Sequence, residues 1–236
     1  KKFIHPDYIN SDEKYVKRFL STKLSDENFL NLFKTVKKNK LLTSCTPFDE
    51  DSVDLIEKMN FDILKIASVS SLDFNLLERV VRNKIPKLIS TGGKSLNDID
   101  KIVSFFRKKK QTFALMHCIA IYPSANKDLQ ISFIKELKDR YKDLEIGWST
   151  HERPNENLPA SLAYACGARI FEKHIGINSK KYALNDYSIT PRVFHDWYES
   201  LKESIEILGT HEKKIDKRET ATLETLQRGV YAKKNI

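Results

Sequence analysis

Long apolar runs are missing from this sequence. None approaches the ~20 residues that a membrane-spanning helix needs, and no signal-peptide pattern stands at the first residues. The expectation is a cytoplasmic protein with no membrane partner. Cysteine is scarce as well. Cys45, Cys118 and Cys166 are an odd count with no metal-type spacing. Each lies in or beside an apolar run, which points to reduced, packed thiols. Several chemical signatures are also absent. Gly93-Lys94-Ser95 resembles the end of a phosphate loop, but the glycine needed five residues earlier is Leu88. No Gly-x-Ser-x-Gly elbow, no His-Glu-x-x-His pair and no glycine-rich dinucleotide turn after a strand occurs.

What is present suits one sizeable globular core. The 236 residues are 40% hydrophobic and 31% charged, too short for two ordinary domains. The net charge of +9, from 41 basic and 32 acidic residues, raises the question of a nucleic-acid partner. The densest basic runs, Lys108-Lys109-Lys110 and Lys37-Lys38, fall near the ends of predicted helices, where they complement the helix dipole. No aromatic residues are interleaved to stack on bases. No nucleic acid is expected, and an anionic small substrate accounts for the balance equally well.

The chain alternates strands and helices. Predicted strands cover Lys2-Phe3-Ile4 and residues 41–46, 62–68, 87–90 and 113–119. Two more lie within residues 144–177. The helices between them carry apolar residues at helical spacing, such as Phe29, Leu32, Phe33 and Val36 after the cap residue Ser25, and Ile99, Ile102, Val103 and Phe106 after Ser95. Another helix is predicted over residues 129–141. A last one starts at Thr190-Pro191, carries Phe194, Trp197, Leu201 and Ile205, and stops at Gly209. Short strands that are apolar on both faces are those of a parallel sheet wrapped by helices. Seven strands and no dinucleotide turn favour a (β/α)8 TIM barrel whose first βα unit is missing from this sequence. Residues 1–209 are read as that barrel. Residues 210–225 are charged and aperiodic, a linker, and residues 228–236 read as one more strand.

In such a barrel the chemistry sits at the carboxyl ends of the strands. Those positions are Lys2, Thr46, Lys65, Ser68, Ser90, Tyr122, Ser149, His151, Glu172 and His174. Lysines and hydroxyls suit a phosphate and a carboxylate. His151 and His174 close two successive strands joined by one helix, a natural place for a divalent metal. Alternation puts Glu172 and His174 on one side of their strand. Blander readings exist: a satisfied strand-end histidine, a Lys65 that snorkels out of the rim, an ordinary turn at Ser90-Thr91-Gly92-Gly93. His117 and Cys118 read as core residues, and His5, His195 and His211 have no evident partner.

The segments CTPFDEDSVDLIE, ILKIAS, KLISTGG, LMHCIAIYP, GWSTHE and GARIFEKHIG resemble the N-acetylneuraminate (sialic acid) synthase family, in order and at similar spacing. They cover most of the chain from residue 41 to 176. The resemblance implies a (β/α)8 barrel followed by a small C-terminal antifreeze-like (SAF) domain, which would begin within residues 210–236. It implies a dimeric, metal-dependent enzyme that condenses phosphoenolpyruvate with an N-acetylated amino sugar into a nonulosonic acid, with Mn2+ or Mg2+ as cofactor. Carried over, it assigns the metal to His151 and His174. Phosphoenolpyruvate falls to Lys2, Thr46, Lys65, Ser68, Ser90 and Ser149, and the sugar to Tyr122 and Asp186. Glu172 is the candidate for orienting the attacking water.

The departures concern the acceptor side. The family's first strand, with its Glu and Asn-His pair, is lacking. An acidic position is Ser70, an Asn position is Ala120, and the Gly-Pro-Asp loop reads Leu184-Asn185-Asp186. A different acceptor sugar is expected. Two rivals stay open on the residues alone: another metal-dependent barrel aldolase or keto-acid phosphate synthase, and a barrel that binds such ligands without turnover.

Overall fold

Six strands lie side by side, all parallel, in the order in which the chain makes them. The computed structural model describes residues 20–180, 183–210, 212–230 and 233–234. Lys2 and the expected opening strand lie outside the described residues. The strands are β1 (Ser44–Cys45), β2 (Ile63–Ile66), β3 (Lys87–Ser90), β4 (Phe113–Cys118), β5 (Ile146–Thr150) and β6 (Ile170–Lys173). Helix α1 (Asp26–Lys38) precedes them. The crossovers are α2 (Glu50–Lys58), α3 (Phe74–Val80), α4 (Leu96–Lys108), α5 (Phe133–Arg140) and α6 (Leu158–Ala165). Helices α7 (Pro191–Leu208) and α8 (Lys217–Leu226) follow. Adding each parallel strand on the same side sends every right-handed crossover over the same face. Among the described residues no helix is long and apolar enough to cross a membrane.

Local chemistry explains the helix limits. Ser25 Oγ accepts from the Asn28 N–H at the start of α1. Ser95 and Asp98 form a reciprocal capping box on α4. Thr190 caps α7 with Pro191 in its first turn, and Gly209, at φ 65°, ends it. The helices press Val53, Ile56, Leu77, Val80, Ile99, Phe106, Ile134 and Trp197 onto one face of the sheet. There they meet Leu64, Ile66, Ile89, Leu115, Ile146 and Trp148. Burying each such side chain stabilises the fold by ~1.5–3 kcal/mol before entropy is set against it.

The other face is concave. A flat sheet would put β2 and β6, four spacings apart, about 19 Å from each other. Yet Lys65 of β2 forms an ion pair with Glu172 of β6. The sheet therefore curls into a half-barrel with these side chains inside. The inner row Ser90, Met116, Gly147, Ile170 shows how the interior is filled. A Cβ on Gly147 would sit 2.7 Å from the Ile170 carbonyl oxygen and collide with Met116. The missing side chain is the space Met116 occupies.

The structure departs from the sequence reading at the margins. The strand expected over residues 41–46 pairs only at Ser44–Cys45, with Leu41 and Leu42 exposed. The strand expected over 62–68 ends at Ile66, and Ser68 opens a 3-10 turn, Ser68–Ser70. The helix expected from residue 129 starts at Phe133. The expected linker contains α8, capped by Asp216 and burying nothing. It is built from local propensity, which a search for apolar periodicity passes over. Residues 228–230 form no strand; 231–232 and 235–236 lie outside the described residues.

One buried charge lies far from the strand carboxyl ends. Lys87, the first residue of β3, is 1% exposed. Its Nζ donates to the Asn83 carbonyl oxygen at 2.9 Å and to Gln111 Oε1 at 2.6 Å. Burial, with Lys84 nearby adding to it, pushes the amine down to about 8. Between that value and the ~10.4 of an unfolded lysine, the unfolded chain binds the extra proton, so stability rises with pH. Relative to Lys87→Met, the wild type is expected to gain about 1–3 kcal/mol between pH 7.5 and 10.5. Urea unfolding at the two pH values measures it. A wild-type-minus-variant difference that ignores pH would refute the lowered Lys87 amine.

Candidate active site

Strand alternation sends Lys65, Ser149 and Glu172 to the concave face near the carboxyl ends of β2, β5 and β6. Lys65 Nζ meets both carboxylate oxygens of Glu172. Ser149 Oγ donates to Glu172 Oε1 at 3.1 Å. Ser90, at the end of β3, is 2% exposed, and its Oγ has no partner among the described residues. A buried hydroxyl left open inside a polar cluster is a ready hydrogen-bonding site for a ligand. Ser68 turns inward from the 3-10 turn and accepts from the Gly92 N–H at 3.0 Å. Thr46 lies just past β1, half-buried.

Beside this cluster stand the imidazoles. His151 follows β5 directly and His174 follows β6, with ring centres 5.2 Å apart. His151 Nδ1 lies 2.8 Å from the Ile119 carbonyl oxygen. A carbonyl only accepts, so Nδ1 carries the proton and Nε2 presents its lone pair. Burial is the main force on this ring, opposed by that hydrogen bond and reinforced by His174, and it holds the imidazole down to about 4. His151 is therefore neutral at physiological pH, the form that binds metals. A shared ion about 2.1 Å from one nitrogen of each ring would set the ring centres about 5 Å apart, so the observed spacing fits one. Among the described residues no group of three His, Cys, Asp or Glu side chains is placed to hold a metal ion.

The remaining residues of the sequence reading are spread around this centre. Tyr122, in the loop after β4, is exposed, with its ring 4.2 Å from that of His151. Asp186 is exposed and lines a neighbouring groove of about 410 Å3 with Arg153, Asn185 and Thr190. It does not join the charged cluster. His117 points to the helix side, with Nε2 3.0 Å from the Leu129 carbonyl oxygen and its ring against Phe133. Cys118 is buried but faces inward, its Sγ 3.9 Å from His151 Nδ1, and burial pushes its thiol up. It forms the floor between the hydroxyls and the imidazole.

Tyr187 is the residue that sequence reasoning missed. Its ring lies edge-on to His174 at 5.0 Å and to His151 at 6.2 Å, and 5.2 Å from Tyr122. The loop bearing it is pinned to β6 by the Ile189 N–H, which donates to the His174 carbonyl oxygen at 2.9 Å. No local pattern marks a tyrosine 13 residues from its histidine. Only its place beside Asp186 offered a signal.

Charged and hydroxyl side chains gather at the carboxyl ends of parallel strands, around paired imidazoles, where α/β enzymes built on curved parallel sheets keep their sites. Residues 1–213 match the NeuB family, and the chain belongs to that family. It superimposes on the spore coat polysaccharide biosynthesis protein E of Chromobacterium violaceum with a TM-score of 0.92 and 41% identity, over 97% of this chain and 68% of that one. For the N-acetylneuraminic acid synthetase of Leptospira borgpetersenii, in complex with citrate, the TM-score is 0.82 and the identity 29%, over 93% and 76% of the two chains. It is 30% identical to the N-acetylneuraminate-9-phosphate synthase of Drosophila melanogaster over 71% of this chain, spanning 45% of that enzyme's length. A heptulosonate 7-phosphate synthase of Thermotoga maritima, at 18% identity and a TM-score of 0.68, shares the fold.

The turn after β3 comes close to the hydroxyl and thiol beside it. A Cβ on Gly92 would lie 2.8 Å from Ser68 Oγ and 3.2 Å from Cys118 Sγ. Gly92→Ala is expected to cost about 1–3 kcal/mol through overpacking. That corresponds to a fall of roughly 2–10 °C in thermal midpoint for a chain of this size. An unchanged midpoint by calorimetry would show that Ser68 yields freely.

Proposed function

We propose that this chain carries the catalytic barrel of a sialic acid synthase-like enzyme, condensing phosphoenolpyruvate with an N-acetylated amino-sugar aldehyde to give a nonulosonic acid and phosphate. The reading takes the half-barrel as part of a (β/α)8 barrel. It takes the working protein as a cytoplasmic homodimer. The observation that carries it is the Lys65–Glu172–Ser149 cluster facing the neutral His151 and its neighbour His174.

Each residue then has a task. The Lys65 ammonium, now held by Glu172, exchanges that partner for the anionic groups of phosphoenolpyruvate. Ser68, Ser149, Thr46 and the open Ser90 hydroxyl complete the cradle, with Lys2 as a further cation. The cradle holds C3 of the enol against the aldehyde carbon, and such positioning lowers the barrier by several kcal/mol. His151 and His174 are the residues that would hold a divalent cation, Mn2+ or Mg2+, and such an ion would supply Lewis-acid polarisation of the aldehyde oxygen. As the carbon–carbon bond forms, the aldehyde oxygen takes up a proton from solvent water and C2 becomes oxocarbenium-like. Glu172, released from Lys65, orients the water that adds at C2 and accepts its proton; the C2–O bond to phosphate then breaks. Tyr122, Tyr187 and Asp186 flank the acceptor. Ala120, where the resemblance implies an asparagine, lies in the loop after β4 that also carries Tyr122.

His151→Ala is expected to lower Mn2+ affinity and phosphate release by about 100-fold or more. Lys65→Met is expected to weaken phosphoenolpyruvate binding by at least about tenfold. Calorimetric titration and phosphate release with a panel of N-acetylated amino sugars measure both. Turnover that needs no phosphoenolpyruvate would mean an aldolase. Undiminished turnover in His151→Ala would remove the metal assignment.

A further inference from the structure

Behind the two histidines lies a second pair of charges. Glu152 follows His151, and Lys173 precedes His174. Their side chains are 0% and 1% exposed, with Lys173 Nζ donating to Glu152 Oε1 at 2.5 Å. Because successive residues of extended chain point to opposite faces, the imidazoles face the concave side and the ion pair faces the helix layer. The two pairs stand back to back on the same two strand ends. Thr150 and Lys173 are register partners, so the ion pair closes the last rung of the β5–β6 ladder.

We infer that the Glu152–Lys173 ion pair is a positioning device that sets the spacing of His151 and His174. The inference rests on the metal reading above. Three observations carry it. The pair reaches neither the concave face nor solvent, so it does no chemistry on a substrate. It is also a costly way to fill space: Glu152 Oε2 and the adjacent Thr150 Oγ1 are buried with no partner among the described residues. Apolar side chains of similar volume often pack such a place equally well, so a buried ion pair here points to a geometric task rather than to stability. Finally, the pair joins the segments that follow β5 and β6, beside a backbone link to the loop after β4. Glu152 bridges to Ser124 in parallel register, and the Ser124 N–H donates to the His151 carbonyl oxygen at 2.9 Å. Ser124 lies two residues after Tyr122. Sliding β6 along β5 would change the ring spacing of His151 and His174, and the ion pair is the side-chain lock against that motion.

The double substitution Glu152→Gln with Lys173→Met keeps the shapes and removes both charges. Three quantities are read: thermal midpoint, Mn2+ affinity by electron paramagnetic resonance, and carbethoxylation of His151 relative to exposed His195 by mass spectrometry. A positioning role gives a folded variant that binds Mn2+ about 10–100-fold more weakly, with the His151:His195 ratio raised severalfold. A folded variant with wild-type Mn2+ affinity and wild-type reactivity ratio overturns the inference. If the wild type itself binds no Mn2+, the metal assignment fails on that result alone, and the reactivity ratio decides: a rise supports positioning, no change overturns it. Should the double variant not fold, Glu152→Asp, which keeps the charge and draws it back by one methylene, is read by the same quantities with the same signs.

Discussion

A lysine ammonium and a glutamate carboxylate four strands apart touch only if the sheet between them bends. That contact, Lys65 to Glu172, is the constraint around which the rest is arranged. It sits where a parallel sheet gathers its strand carboxyl ends, so each further inward residue there adds to one cluster. It neutralises two charges that the curved interior would otherwise hold unpaired. It also leaves each available to another partner, since both stay accessible from the concave side: a lysine that an anion can recruit and a carboxylate then freed to handle a proton.

The curvature depends on unequal filling of the two faces. On the helix side, large apolar residues from strands and helices interlock, with Trp148 and Phe106 among the most deeply buried. On the inner side the row shrinks to Gly147 under Met116, and the turn after β3 brings Gly92 so close to Ser68 that a side chain there would have to displace it. Bulk outside and economy inside draw the strand ends toward one another. The same alternation places imidazoles in front of β5 and β6 and an ion pair behind them, so the two pairs are immediate neighbours in sequence yet face opposite surroundings.

Much of this was readable from residue order. The capped helices α1, α4 and α7 were legible because Ser25, Ser95 and the Thr190-Pro191 pair act on backbone groups within one turn. Strands β2 to β6 were legible because short apolar runs between helices have few other uses. The edges were harder. At β1 only two residues pair, and Thr43 just before them is tied to Asp62, whose carboxylate accepts from the Thr43 N–H and hydroxyl at 2.7 Å each. Helix α8 was read as linker because it has a cap and good formers but no apolar face. In the site, alternation and strand-end position singled out the histidines, Lys65 and Glu172. Tyr187 and the Lys173–Glu152 pair carried no local mark.

The sequence by itself determined the alternating strand and helix order, the helix caps, the family, and the residue types at the strand ends, because those depend on propensity and short-range hydrogen bonds. Only the tertiary structure decided which of those residues meet. The Lys65–Glu172 contact spans 107 positions and the Lys173–Glu152 contact 21. Such contacts exist because the sheet curls and its strands fall into register. Curvature and register are set by packing summed over the whole core, not by any one segment.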